Sequence, residues 1–124
     1  RPDWIEIHVN LGTILFQQGK IDKAIEHFNE ALRIRPDYVA AHCGLGIALG
    51  RKGELDEAIK HFRQAIELEP SHIEAHYNLG YALQVQGKAA EAIAEFQRVL
   101  QIDPNHAQGL QQLEKALAKL RQSR

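Results

Sequence analysis

An all-α fold of stacked antiparallel helical hairpins is what this chain predicts, and three observations carry the prediction. The sequence matches itself at a shift of 34 residues, the apolar spacing within each unit is helical rather than alternating, and a glycine separates the two periodic stretches of every unit. At that shift nine columns hold one residue three times: His8, His42, His76; Leu11, Leu45, Leu79; Gly12, Gly46, Gly80; Leu15, Leu49, Leu83; Gly19, Gly53, Gly87; Ala24, Ala58, Ala92; Ile25, Ile59, Ile93; Phe28, Phe62, Phe96; Pro36, Pro70, Pro104.

Residues Arg1, Pro2 and Asp3 match Arg35, Pro36 and Asp37, so residues 1–4 read as the tail of a preceding unit, and more units are expected upstream. The units themselves span 5–38, 39–72 and 73–106, with a capping segment at 107–124, all in one domain. First helices are expected over 5–18, 39–52 and 73–86. Asp3, Asp37, Ser71 and Asn105 are the N-cap residues at helix entry, and Glu6, Glu74 and Gln108 complete capping boxes three positions on. Each first helix runs into Gly19, Gly53 or Gly87, where a left-handed stop is cheap. Second helices follow over 21–34, 55–68 and 89–102. A last helix, near 107–121, keeps Leu110, Leu113 and Leu117 at packing positions, puts Glu114 in the place of the glycine and has no partner helix, so it reads as a solubilising cap.

Packing explains the recurring residues. Gly12, Gly46 and Gly80 let a neighbouring helix approach, Ala24, Ala58 and Ala92 keep the facing surface small, and Phe28, Phe62 and Phe96 fill the gap between hairpins. One hairpin cannot bury its face alone, so stacked neighbours must share a core. The first helix, with none before it here, is expected to leave an apolar flank near Ile7 and Ile14 uncovered.

A 34-residue unit with Leu-Gly, a Leu three later, then Gly, Ala, Phe, Ala and Pro resembles the tetratricopeptide repeat over nearly the whole chain. Three departures stand out. His8, His42 and His76 sit where that family often has Trp, Leu15, Leu49 and Leu83 where it often has Tyr, and Val99 where Ala31 and Ala65 stand in the other units. The resemblance implies a right-handed alpha-alpha superhelix, a concave groove lined by the first helices, and a partner's peptide received in that groove.

On a helical wheel the apolar residues of each first helix fill one broad arc and leave an opposite strip. That strip holds Glu6, Val9, Asn10, Thr13, Phe16 and Gln17 in the first unit. In the second it holds Ala40, Cys43, Gly44, Ile47, Gly50 and Arg51, and in the third Glu74, Tyr77, Asn78, Tyr81, Gln84 and Val85. Only Glu6, Arg51 and Glu74 are charged, whereas the second helices carry Glu26, Glu30, Arg33, Lys60, Glu67, Glu95 and Arg98 on their outer rows. A strip with apolar and aromatic side chains and few charges suits an interface. Val9, Asn10, Thr13, Phe16, Cys43, Ile47, Arg51, Tyr77, Asn78 and Tyr81 are therefore the candidate peptide-binding residues, with Tyr77 and Tyr81 as an anchor pair. Asn10 and Asn78 each offer a donor and an acceptor to a peptide backbone; the alternative is that they are solvated surface amides. Gly44, Gly46 and Gly50 load one helix with glycine, which makes it soft or lets a ligand backbone come close.

Some members of the family grip a C-terminal carboxylate with Lys and Asn in the first unit, Asn in the second, and Lys and Arg in the third. The corresponding positions here are Val9, Thr13, Gly44, Glu74 and Asn78, so no such clamp is expected. Other members, among them the superhelical part of a sugar-transferring enzyme, carry an asparagine ladder to which Asn10 and Asn78 are similar.

Composition narrows the partners. With 15 basic against 16 acidic residues the chain has no field to neutralise a phosphate backbone or hold a membrane surface, so neither nucleic acid nor membrane is an expected partner. No apolar run approaches the roughly 18 residues of a membrane span. The single cysteine, Cys43, excludes an internal disulfide and suits a cytoplasmic protein. With no methionine, the sequence is expected to be an excised or processed fragment.

No cofactor, metal or catalytic constellation is expected. His8, His42 and His76 read as packing imidazoles, His27 and His61 as solvated, and His72 and His76 lack a third ligand. Cys43 has no base with an orienting partner, and the glycines of 44–50 follow no strand. The expected function is a non-catalytic scaffold that binds a protein or peptide ligand. Self-association through exposed ends of the array, and service as the substrate-presenting arm of a larger enzyme such as a glycosyltransferase, are the alternatives.

Overall fold

A computed structural model describes the backbone of residues 2–123 and the side chains of residues 4–123. Seven helices and no strand occur among them: α1 (Pro2–Gln17), α2 (Ile21–Ile34), α3 (Val39–Lys52), α4 (Leu55–Leu68), α5 (Ile73–Val85), α6 (Ala89–Ile102) and α7 (Ala107–Gln122). The fold is all-α, built of antiparallel hairpins. α1 begins at Pro2 rather than at 5, so the expected 1–4 tail is helical where it is described; the side chain of Asp3, an expected cap, lies outside the described residues.

Entry to the first helices differs from expectation by one residue. The N-caps are Tyr38, His72 and His106, not Asp37, Ser71 and Asn105. His72 Nδ1 accepts the Ala75 N–H at 3.1 Å and His106 Nδ1 the Gly109 N–H at 2.8 Å. An imidazole nitrogen thus satisfies an orphan donor that a carboxylate or hydroxyl was expected to take. Glu74 and Gln108 consequently fall at the second helical position, one short of a capping box.

The hairpin turns repeat one motif. Gly19, Gly53 and Gly87 adopt φ of +81°, +92° and +83°, and the next residue's N–H returns to a carbonyl five positions back: Lys20 to Leu15, Glu54 to Leu49 and Lys88 to Leu83, each at 2.9 Å. This is the left-handed helix stop that glycine allows without a Cβ penalty. Pro36, Pro70 and Pro104 follow the second helices and cannot continue them.

The contacts divide the chain into two compact units, Arg1–Pro70 with α1 to α4 and Ser71–Arg124 with α5 to α7. In the first unit α1 packs on α2, α2 on α3, α3 on α4, and α1 also touches α3. Phe28 of α2 is the centre: a Cβ added at Gly12 would lie 2.8 Å from its ring, and one at Gly44 2.5 Å, so the ring is clasped between two glycine backbones. Phe62 stands against Gly46 in the same way, at 2.6 Å. Burying such a phenylalanine stabilises by about 3 kcal/mol before packing is counted. Ile5, Ala31 and Ala41 form a second buried cluster with Val9, Leu32, Ile34 and Tyr38.

In the second unit α6 packs between α5 and α7. Phe96 fills the space over Gly80, and Val99, fully buried, faces Gly109 of α7, where an added Cβ would come within 2.9 Å of it. Ala92, Ile93 and Ala116 complete the interior. The cap helix leaves Leu110 and Leu117 exposed.

Candidate functional site

The first helices bear the candidate residues, and their outward strip is narrower than the wheel implies. A wheel assumes one neighbour, but α1 is flanked by both α2 and α3, and α5 by both α6 and α7. The second neighbour claims residues at the edge of the strip. Val9 packs into the cluster of Ile5, Ala31 and Ala41. Cys43, expected on the open strip, is buried at 4% exposure. Gly44, read as softening its helix or letting a ligand backbone come close, is instead a packing residue pressed on Phe28.

What stays accessible in Arg1–Pro70 is a short polar and aromatic platform. Asn10 and Thr13 are exposed on α1, and the Thr13 hydroxyl donates to the Val9 carbonyl at 3.0 Å. The Arg51 guanidinium lies over the Phe16 ring, 4.9 Å from its centroid. That cation–π contact joins residues of α1 and α3 and holds a flat aromatic face beside a positive charge. Ile47 is half-buried nearby in sequence on α3.

In Ser71–Arg124 the two tyrosines part company. Tyr77 is half-buried, its ring centroid 5.9 Å from that of Phe96 and 5.5 Å from that of His106, so it belongs largely to the packing between α5, α6 and the cap. Tyr81 is 51% exposed, the more accessible of the two. Asn78 is half-buried.

The histidines form a set that sequence reasoning missed. His8 Nδ1 meets His27 Nδ1 at 3.0 Å, His42 Nδ1 meets His61 Nδ1 at 3.0 Å, and His76 Nδ1 meets Glu95 Oε1 at 2.7 Å. His27 and His61, expected to be solvated, are half-buried partners across their hairpins. The signal was available: each partner lies nineteen residues on, and 27, 61 and 95 fall in one repeat column. His42 also donates from Nε2 to the Pro36 carbonyl at 2.7 Å, which leaves its Nδ1 as the acceptor and makes His61 Nδ1–H the donor. Burial pushes the His61 imidazole below its usual range, with His42 adding to the effect.

Among the described residues no three His, Cys, Asp or Glu side chains gather to hold a metal ion, and no helix is long and apolar enough to cross a membrane.

Comparison with known proteins places this geometry. The sequence profile of a family described as Tetratricopeptide repeat matches residues 43–107, just over half of the chain, and one described as TPR repeat matches residues 12–53. No curated protein matches. Among solved structures, the first TPR of Spaghetti (RPAP3) bound to the HSP90 peptide SRMEEVD is similar, with a TM-score of 0.94 and 24% identity, over 97% of this chain and 95% of that one. The first TPR domain of the human RPAP3 protein, solved by NMR, is similar with a TM-score of 0.95 and 24% identity, over 98% and 96%. At that identity the likeness shows the fold.

Proposed function

Since the chain belongs to the tetratricopeptide repeat family, we propose that it is a non-catalytic scaffold whose first helices receive a peptide segment of a partner protein. One observation carries the reading: α5 offers Tyr81, a large aromatic with a hydrogen-bonding hydroxyl, at 51% exposure, where packing alone would favour an alanine or a charge. Arg1–Pro70 carries aromatic and amide groups of its own, the Phe16–Arg51 pair and Asn10.

The peptide bound by the similar Spaghetti domain is acidic at its C-terminal end. Here the candidate strip holds one cation, Arg51, against Glu6 and Glu74. We therefore propose a ligand recognised through aromatic and backbone contacts rather than through a carboxylate. The test is selection from a peptide display library, followed by affinity measurement with Tyr81→Ala and Phe16→Ala. Each replacement is expected to weaken capture by at least about tenfold, near 1.4 kcal/mol, with the helical circular dichroism unchanged. Undiminished capture by both variants, or tight binding of SRMEEVD itself, counts against this ligand class.

A second reading, self-association, is favoured by a separate observation. Trp4, Ile7, Leu11 and Ile14 form an exposed apolar face on α1.

A further inference from the structure

All seven histidines of the chain are engaged, and six of them in contacts that need at least one neutral imidazole. In the pairs His8–His27 and His42–His61 the Nδ1 atoms face one another at 3.0 Å, within reach of a shared proton. A tetrahedral metal site needs more than two ligands, and among the described residues no third His, Cys, Asp or Glu joins either pair.

We propose that these two pairs are an acid-operated release built into the first two hairpins: each pair retains its bond with one proton between the rings, and a second added proton breaks it. For His42–His61 the sequence of events is fixed by the Pro36 carbonyl, which holds the His42 proton on Nε2. The first added proton enters at His61 Nε2 and leaves the bond intact. The second must land on His42 Nδ1, where it removes the acceptor and sets two imidazolium rings against each other.

The surroundings do not cancel this effect. His61 faces Glu57 and Lys60 on its own helix, charges of opposite sign, and His42 across the hairpin. His42 shares an open recess with Asp37 and Glu67, but Asp37 is paired with Arg35 at 3.1 Å. His8 and His27 both act on Glu30, which is held by Arg33. The third hairpin is the internal contrast. Its partner column holds Glu95, so protonation of His76 turns a hydrogen bond into an ion pair.

The direction with pH follows from linkage. An unfolded chain binds a proton on every imidazole below about pH 6.5, whereas each folded pair withholds at least one. Stability is therefore complete above that pH and falls as the solution is acidified. Each withheld proton costs tenfold in the folding constant per pH unit, so the two pairs together cost up to about 100-fold. The caps at His72 and His106 also accept at Nδ1 and are common to every variant compared below.

The experiment is urea unfolding of the full chain between pH 7.5 and 5.0, read by circular dichroism, for the parent, His27→Gln, His61→Gln and Glu95→His. Glutamine accepts a hydrogen bond from a protonated partner, so His27→Gln and His61→Gln are each expected to flatten the pH dependence by about tenfold per pH unit. Glu95→His places a third pair on α6 and is expected to steepen it by a similar factor. The readout is the slope with pH and is independent of what a replacement does to stability at pH 7.5. Should one variant fail to fold, the remaining ones decide. Slopes equal to the parent's overturn the proposal.

Discussion

Val99 and Gly109 show how single residues compensate. Val99 occupies the column of Ala31, and Gly109 that of Ala41, two residues buried together in the first unit. A side chain larger by two methyl groups on α6 is accommodated because α7 gives up its Cβ at the facing position. Val99→Ala should therefore leave a cavity costing about 2 kcal/mol, and Gly109→Ala should crowd Val99 by about 1–3 kcal/mol, partly offset by about 1 kcal/mol of helix propensity. The double variant rebuilds the alanine pair, so a double-mutant cycle in thermal unfolding should give a favourable coupling of about 1 kcal/mol or more. Val99 was visible in the sequence as a departure from the repeat. Its compensation was not, because a repeat column shows which residue changes without showing which side chain of the neighbouring helix faces it. Gly44 was misplaced for a related reason: a wheel counts one packing partner, and this residue meets Phe28 of a second helix.

At the level of the helix, ends and turns were less legible than spans. Second helices occupy the residues the spacing predicts, 21–34, 55–68 and 89–102, because Gly and Pro bracket them on both sides. The first helices start where expected at Val39 and Ile73, yet their caps are supplied by the residue after the predicted one. Histidine is not among the habitual capping side chains, so Ser71 and Asn105 drew the assignment. The consequence is measurable at one entry. Ser71→Ala is expected to change stability by less than about 0.5 kcal/mol, whereas His72→Ala should lose about 1 kcal/mol, both from chemical unfolding at pH 7.5.

The whole chain carries its binding candidates on one class of helix and its charges on the other, and that division was readable from periodicity alone. What the sequence could not resolve was which strip residues a second neighbour would cover, since that depends on helix crossing rather than spacing. Ten candidates thereby reduce to a smaller exposed group, Asn10, Thr13, Arg51 and Tyr81, with Phe16, Ile47, Tyr77 and Asn78 half-buried. The apolar flank expected near Ile7 and Ile14 is exposed and extends to Trp4 and Leu11. Its counterparts on α3, Ala41, Leu45 and Ala48, are buried, and α2 covers that helix in the first unit. An exposed face of this kind is costly in water, and a second copy is one way to cover it. Light scattering over rising concentration should then show association that Ile7→Glu abolishes; a monomer at every concentration removes the self-association reading.

The three hairpin glycines hold a positive φ, and an added Cβ would meet nothing within 4 Å at any of them. Their conformation is therefore a matter of handedness alone, with no steric reason to stay bare. A D-alanine fits such a position as comfortably as L-alanine fits a helix, and it restricts the denatured chain. A chemically synthesised version with mirror-image residues at 19, 53 and 87 is thus a route to a stiffer array in which every natural packing contact is preserved.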